Sequence, residues 1–258
     1  MRRGGVTLLT IVALAAGCGG SDEATAPVEV PVPEAEASAQ QPRSCRPGAR
    51  PVGSAKRAFA AVVQRVPTLA YRRPGGKSLA RFGRLNVNGV ATVFGVLGKV
   101  VDRRCRARWY RVQLPMRPNG ITGFVRAGDV RIAAVRTRIH VDLSERRVTL
   151  FRDGRRVLHA LAAIGSAATP TPTGRYYVNQ RLVPEDKSGP FGPGAVGISA
   201  FSPVLTGWAQ GGPIALHGTN RPDSIGRPVS NGCLRLDNAV IRRIFDAALA
   251  GTPVLIRA

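Results

Sequence analysis

Short runs of hydrophobic residues, separated by turn-forming residues, dominate the first half of the chain after residue 57. They are AFAAVV (58–63), TLAYRR (68–73), LARF (79–82), VATVFGVLGKVVD (90–102), WYRVQL (109–114), ITGFVRA (121–127) and VRIAAV (130–135). Turn signals fall between them at Pro74-Gly75-Gly76, at residues 86–89 and at Pro118-Asn119-Gly120. Many short strands with frequent turns predict a small β barrel over residues 45–134.

The second half continues in strands and ends with one helical pattern. Residues 136–164 give two strand patterns around Asp153-Gly154, which is a hairpin signal. Residues 170–194 are rich in proline and glycine, so we expect a long loop there, either a wall over a functional site or a plain surface loop. Residues 236–249 carry apolar positions at helical spacing, with Asp237 as the candidate N-cap. The pattern predicts a mainly β protein with one clear helix and a final strand at 254–256.

The first eighteen residues have the pattern of an export signal. Two arginines precede a short apolar run at residues 6–16, which is too short to span a bilayer as a folded helix. The run ends in Leu14-Ala15-Ala16-Gly17-Cys18, which resembles a bacterial lipobox. We therefore expect an exported protein with a lipid on Cys18, held at the outer face of the cytoplasmic membrane or in the cell envelope. An ordinary signal peptide cut nearby, or a retained membrane helix, is the alternative.

Composition then divides the rest of the chain. Residues 19–44 are rich in Ala, Pro, Glu and Ser, which predicts a disordered tether. Residues 45–134 hold nineteen Lys or Arg against two acidic residues, whereas residues 135–258 hold sixteen against eight. The basic middle segment favours a polyanionic partner, either a wall polymer or a membrane surface, and export argues against nucleic acid. A compositional bias towards arginine would explain the same excess, since the chain has only four lysines.

Candidate chemistry lies in residues 217–235, HGTNRPDSIGRPVSNGCLR. A thiol needs a base to become a thiolate at neutral pH, and His217 can serve that role for Cys233. The fifteen residues between them are too many for one helix face and suit a chain that folds back. Gly232 permits a sharp turn, so that consecutive N–H groups can face a developing oxyanion. A buried structural cysteine beside an unrelated histidine is the alternative.

The remaining cysteines and histidines have other expected roles. Cys45 and Cys105 bracket the middle segment and can pair in an oxidising compartment, which leaves Cys233 as the free thiol. His140 and His159 lie in strand-like runs, and we interpret both as structural. The pattern predicts neither a metal site nor a cofactor.

Three stretches together resemble the L,D-transpeptidase family (YkuD domain). They are H-G-T followed by S-x-G-C-[apolar]-R, TPTPTGRYYV (169–178) and GISAFSPVL (197–205). The likeness covers roughly residues 135–258 and implies a β-sandwich-like catalytic domain there. WYRVQLP-RPNG-ITGFV, within residues 45–134, resembles a bacterial SH3-type domain. Its Trp109 and Tyr110 would line a ligand groove or, as we prefer, pack within the domain.

The resemblance implies a reaction on peptidoglycan stem peptides. Cys233 would attack a stem carbonyl and release a terminal D-alanine, His217 would accept the thiol proton, and an amine of a second stem would resolve the thioester. The backbone N–H groups of Asn231, Gly232 and Cys233 are the expected oxyanion donors. The carbonyl of Gly218 would orient the imidazole. We expect a monomer.

Two further residues of the motif have expected roles, and a third differs from the residue usual in the family. Arg235 would hold a substrate carboxylate, or it is a surface arginine. Ser230 would contact substrate or form the turn, and the sequence does not separate these roles. Asn231 stands where the family usually has histidine. Because asparagine cannot act as a base, we expect Asn231 to work through its backbone N–H and His217 to be the sole base.

Three other functions stay open at this point. If water resolved the thioester, the protein would be an L,D-carboxypeptidase. Loss of activity would leave a wall-binding module, which the basic segment and Asn231 would suit. A papain-like or NlpC-like peptidase would place its cysteine before its histidine, and the order here is the reverse.

Overall fold

A computed structural model of the protein describes residues 45–208 and 212–258. The expected export signal with Cys18, and the expected tether over residues 19–44, lie outside the described residues. Within the described ranges, no helix has the length and apolar character needed to cross a membrane.

Eight strands form the first sheet. They are β1 (Gly48–Pro51), β2 (Ala58–Val63), β3 (Thr68–Tyr71), β4 (Ser78–Phe82), β5 (Val93–Val101), β6 (Ala107–Gln113), β7 (Thr122–Arg126) and β8 (Val130–Val135). The order is β4-β3-β7-β6-β5-β2-β8, with β1 on β5. Every run expected to be a strand in residues 58–135 contains one. The end strands β4 and β8 do not pair in the described chain, and the SH3-type assignment stays a prediction.

Apolar and polar residues alternate along the strands of this sheet, so that the apolar side chains lie on one buried face. Phe94, Val112, Leu114 and Val125 are fully buried in one hydrophobic cluster. Trp109 packs its ring edge-on against Tyr71, with ring centres 5.3 Å apart. Cys45 and Cys105 form a disulfide that ties the start of the described chain to the β5–β6 turn.

The second sheet also has eight strands. They are β9 (Thr137–Asp142), β10 (Arg147–Arg152), β11 (Arg155–Leu161), β13 (Gly174–Leu182), β14 (Ala195–Phe201), β15 (Pro213–His217), β17 (Leu234–Arg235) and β18 (Pro253–Arg257). Their order is β11-β10-β9-β18-β13-β14-β15-β17, and β12 (Ile164–Gly165) pairs separately with β16 (Pro228–Ser230). The protein is therefore mainly β, as expected.

One helix packs on this second sheet. The helix α1 spans Asn238–Ala247, and its Asp237 cap accepts hydrogen bonds from the N–H groups of Ala239 and Val240. Ile241 and Ile244 are fully buried against the sheet. The expected helix and its cap are therefore present, slightly shorter than the periodic pattern.

The long loop expected over residues 170–194 is only partly a loop. The strand β13 occupies Gly174–Leu182, with Tyr176, Tyr177 and Val178 buried. Our expectation was wrong here because the flanking prolines and glycines masked a strand that pairs with both β14 and β18. Gly174 begins this strand with φ of 143°, a backbone angle that favours glycine.

The two sheets pack directly on each other. The Tyr177 hydroxyl donates to the carbonyl of Val93 at 3.0 Å, and the Gln113 amide donates to the carbonyl of Arg175 at 2.6 Å. At Gly251 the backbone comes so close to Ala60 that any side chain larger than hydrogen would clash with the Ala60 Cβ. Residues 45–258 consequently belong to one compact unit.

Candidate functional site

His217 and Cys233 are brought together by two short parallel strands. β15 ends at His217 and pairs with β17, so that His217 lies opposite Arg235. The N–H of Leu236 donates to the carbonyl of His217 at 2.9 Å and continues this pairing. The chain therefore folds back across the fifteen intervening residues, as the spacing indicated.

The thiol sits at the end of a tight turn, Ser230–Cys233. Gly232 has φ of 106°, a conformation that side-chain-bearing residues rarely adopt. A Cβ at this position would also lie 2.9 Å from Cδ1 of Ile214. The Ser230 hydroxyl donates to the carbonyl of Cys233 at 2.5 Å and closes the turn. Glycine is therefore required at position 232 for both conformation and space.

A neighbouring loop holds the turn from outside. The hydroxyl of Thr171 donates to the carbonyl of Gly232 at 2.9 Å, and that of Thr169 donates to the carbonyl of Ser230 at 2.9 Å. The N–H of Ser166 donates to the same Ser230 carbonyl at 3.0 Å. Thr171 is buried and also accepts from the N–H of Gly165 at 2.9 Å. We call these three residues, Ser166, Thr169 and Thr171, the threonine brace.

The His217 imidazole is buried and held in one tautomer. Its Nδ1 donates to the carbonyl of Gly218 at 2.6 Å, which leaves Nε2 with a lone pair. The Phe191 ring stands edge-on against it, with ring centres 4.9 Å apart. The side chain of Asn238 accepts from the N–H of Thr219 at 2.9 Å and so fixes the backbone after Gly218.

Burial sets the protonation state of both groups. It lowers the pKa of His217 to about 4; the hydrogen bond to Gly218 opposes the shift, and the charge of Arg235 adds to it. Burial also raises the pKa of the Cys233 thiol, against a backbone hydrogen bond from Ala215 and the charge of Arg235. Both shifts favour a thiol and a neutral imidazole over an ion pair in the resting protein.

The two side chains share one cavity of about 640 Å³. The Cys233 thiol donates to the carbonyl of Pro213 at 3.9 Å and also has a backbone hydrogen bond from Ala215. Among the described residues, no hydrogen bond joins the sulfur to His217. Much of the wall is apolar, formed by Leu182, Val183, Pro184, Phe191, Leu205 and Trp208. Arg235 and Asn231 add polar groups beside the thiol.

The first sheet contributes to the rim of this cavity. Asn88, from the segment between β4 and β5, lines it together with Gln180 of β13. The side-chain oxygen of Gln180 accepts hydrogen bonds from the amides of Asn86 at 2.9 Å and Asn88 at 2.8 Å. No sequence signal indicated this contact, because it joins residues more than ninety positions apart.

One of the three expected oxyanion donors is already hydrogen-bonded within the turn. The N–H of Gly232 donates to the Ser230 hydroxyl at 3.2 Å, so it is already engaged within the turn. Among the described residues, the N–H groups of Asn231 and Cys233 have no acceptor. Ser230 is buried and acts as a turn former, whereas Asn231 is exposed. Two of the three expected N–H donors thus remain available.

The other predicted residues lie apart from this cavity. His159 contacts the Thr149 hydroxyl at 2.8 Å, and the His140 ring packs on Phe151. Sequence reasoning missed the threonine brace and Asn238, although TPTPTG drew attention to the brace as a family-like stretch.

A cysteine thiol and a buried imidazole that line one cavity, with adjoining N–H groups that lack acceptors among the described residues, form an arrangement suited to acyl transfer. Residues 136–256 match the family model of the YkuD-type L,D-transpeptidase catalytic domain. The chain is 33% identical to the YkuD protein of Bacillus subtilis (strain 168) over 118 residues, which are 46% of this chain and 64% of that protein. It is 34% identical to YkuD of Bacillus licheniformis over 119 residues, again 46% and 64% of the two chains.

Solved structures are also similar to this chain over about half of its length. A structure of Bdellovibrio bacteriovorus Bd1075 is 29% identical, with 48% of each chain covered and a TM-score of 0.38. A variant of the Enterococcus faecium L,D-transpeptidase is 24% identical, with 47% of this chain and 49% of that chain covered and a TM-score of 0.36. The family model and the two relatives support an L,D-transpeptidase catalytic domain in the second half of this chain. The match spans less than two thirds of those relatives' length.

The neutral resting pair predicts how Cys233 alkylation depends on pH. Because burial raises the thiol pKa, the rate with iodoacetamide should stay low from pH 5 to 8 and rise only above pH 9. Replacing His217 with alanine should leave the rate at pH 7 little changed, since the imidazole does not ionise the resting thiol. The measurement is the rate of mass addition in the free protein. A rate plateau from pH 5 to 8 that disappears in the variant would indicate an ion pair instead.

The threonine brace predicts a stability effect at Thr171. Thr171→Val keeps the shape but leaves the Gly165 N–H and the Gly232 carbonyl without their partner. We expect a loss of roughly 1–3 kcal/mol in unfolding free energy, measured by denaturant titration. Thr122→Val is the control, because among the described residues the Thr122 hydroxyl has no hydrogen bond. Equal stability of the two variants would show that the brace does not hold the turn.

Proposed function

We propose that the protein is a peptidoglycan L,D-transpeptidase that forms an acyl-enzyme on Cys233. The observation that carries the proposal is the shared cavity of Cys233 and His217 within a domain that matches the L,D-transpeptidase family model. The substrate is a tetrapeptide stem, cut between the D-centre of its third residue and its terminal D-alanine. Nothing in the reaction requires a cofactor.

The chemistry proceeds in two steps. The Cys233 sulfur bonds to the stem carbonyl carbon, and the thiol proton passes to Nε2 of His217, whose Nδ1–H is anchored on Gly218. The carbon–nitrogen bond then breaks, and D-alanine leaves with that proton on its amine. An amine of a second stem attacks the thioester, regenerates the thiol and forms the cross-link.

Proton transfer is coupled to attack on the carbonyl. Because the pKa of His217 is lowered to about 4 and that of Cys233 is raised, transfer between the free groups is unfavourable. Bond formation to the carbonyl removes the developing thiolate charge and shifts the negative charge to the oxygen. Stabilisation of that oxyanion therefore carries much of the barrier reduction.

The N–H groups of Asn231 and Cys233 are the proposed oxyanion donors. Both lack an acceptor among the described residues, whereas the N–H of Gly232 is engaged by Ser230. The brace holds the carbonyls of Ser230 and Gly232, and so fixes the peptide planes that carry these N–H groups. This arrangement gives Asn231 a role through its backbone, which does not depend on its side chain.

Arg235 is the proposed anchor for a substrate carboxylate. It is only half-buried, lines the cavity and lies beside His217 across the β15–β17 pair. Stem peptides carry free carboxylates near the bond that is cut, and guanidinium binds carboxylate through two parallel hydrogen bonds. The same positive charge disfavours protonation of His217, which keeps the base ready.

Location and partners follow from the sequence pattern. The lipobox-like Cys18 and the acidic tether would place the catalytic unit a short distance from the membrane, where the wall is built. The basic first sheet would favour anionic wall polymers or the membrane surface.

Product analysis tests the proposed reaction. Residues 45–258 are incubated with muropeptides of defined tetrapeptide content, and the products are identified by mass. Cross-linked dimers are expected, and Cys233→Ala should leave the substrate unchanged. Tripeptide monomers without dimers would identify an L,D-carboxypeptidase, and unchanged substrate with the wild-type protein would favour a wall-binding module.

Two substitutions at Asn231 separate its backbone from its side chain. Asn231→His keeps the N–H and should acylate within about tenfold of wild type, near 1.4 kcal/mol in barrier. Asn231→Pro deletes the N–H and should lose about a hundredfold or more. Acylation rates are compared after melting temperatures establish that both variants are folded. An inert wild type that Asn231→His activates would instead identify a lapsed enzyme.

A further inference from the structure

A second concave surface lies between the two sheets, and it shares no lining residue with the catalytic cavity. It consists of two adjoining cavities of about 830 and 240 Å³, which meet at Gly53, Ser54 and Arg57. Seven cationic side chains line them: Lys56, Arg57, Arg136, Arg138, Arg152, Arg155 and Arg175. We call this surface the basic groove.

Negative charge is almost absent from the groove. Asp153 is the one carboxylate among its lining residues, and its oxygen lies 2.8 Å from Nε of Arg136. His140, at the groove wall, has its pKa lowered first by burial and then by the charges of Arg138, Arg257 and Arg175. Apart from Asp153, the lining residues offer no counter-charge, so the remaining cations repel one another and a bound anion would relieve that repulsion.

Hydrogen bonds hold the segment that forms the floor of the basic groove. Residues 53–57 form a tight turn in which the N–H of Ser54 donates to the carbonyl of Arg57 at 2.7 Å. Arg138 reaches across from β9 and donates to the carbonyls of Ser54 and Ala55. The stem of Lys56 lies against Gly154, in the β10–β11 hairpin turn. The turn is thus fixed to the second sheet in a position that presents Lys56 and Arg57.

Shape and charge together select the class of ligand. A guanidinium binds the oxygens of a phosphate group in a bidentate manner, and a groove lined by seven cations can bind several phosphates of one chain. A small single anion would contact only a few of the seven cations. A flat membrane surface would not enter a concavity between two sheets. From these features we infer that the basic groove binds a linear polyol-phosphate chain, with successive phosphodiesters on successive cations.

Such a binding site would be separate from the cavity that holds Cys233 and His217. Its lining residues come mainly from the turn at 53–57, the β10–β11 hairpin and the strands β2, β5, β6, β9, β13 and β18. Cys233 and His217 lie beyond β14 in the order of the second sheet. It would hold the enzyme on a wall that carries such chains and leave the catalytic cavity open to stem peptides.

The test compares two variants with the same change in net charge. The purified full chain is titrated with poly(glycerol phosphate) by calorimetry, alongside Arg152→Gln/Arg155→Gln and the control Arg103→Gln/Arg104→Gln. Arg103 and Arg104 are exposed in the β5–β6 turn, outside the groove. The groove variant should raise Kd about tenfold or more, and the control by less than about twofold. Added salt should weaken wild-type binding.

Further probes define the ligand class. Glycerol phosphate alone should bind far more weakly than the polymer, and polyglutamate of equal charge should bind more weakly than the polyphosphodiester. Equal weakening in both double variants, or equal affinity for polyglutamate, would overturn the proposal. Loss of binding to anionic vesicles without loss of polymer binding would assign the groove to membrane. Acylation by muropeptides should be unchanged in both variants, so this test is independent of the proposed catalytic function.

Discussion

The turn that carries Cys233 has no repetitive structure of its own, and hydroxyl groups from another loop hold it in place. Thr169 and Thr171 donate to the carbonyls of Ser230 and Gly232, and Ser166 adds a backbone bond. Gly232 has a positive φ in this turn, and glycine can adopt many other backbone conformations. Without other contacts, the turn would therefore sample several conformations. The hydrogen bonds from the threonine brace hold the turn in the conformation described here. In this conformation the N–H groups of Asn231 and Cys233 have no acceptors among the described residues.

Burial gives the site selectivity as well as shape. A neutral imidazole and a protonated thiol react slowly with solvent-borne electrophiles. On the proposed mechanism, they react when a substrate carbonyl is placed beside the sulfur. The Gly218 carbonyl keeps the imidazole in the useful tautomer, and Asn238 secures the backbone behind it. The protonated form of a thiol is also less easily oxidised than the thiolate.

Periodicity was sufficient to predict most strands and the capped helix. The pair His217 and Cys233 was identified from residue types and motif, and the structure places both in one cavity. Periodicity failed at β13, where prolines and glycines at both ends concealed a buried strand, and it missed β1, whose exposed residues carry no alternation. The brace and the Asn86–Gln180 contact could not be predicted. Each joins residues some sixty to ninety positions apart, and hydroxyl or amide partners of that kind leave no local pattern.

The contact at Gln180 has a thermodynamic consequence. The side-chain oxygen of Gln180 accepts amide hydrogen bonds from Asn86 and Asn88, so the rim of the cavity that holds His217 and Cys233 is complete only when the first sheet is folded. Any molecule that occupies the cavity and touches Asn88 therefore binds the folded form of both sheets. By linkage, its binding free energy adds to the stability of the β4–β5 segment, which carries no catalytic group. The first and second sheets are thus expected to melt together, and at a higher temperature when the cavity is filled.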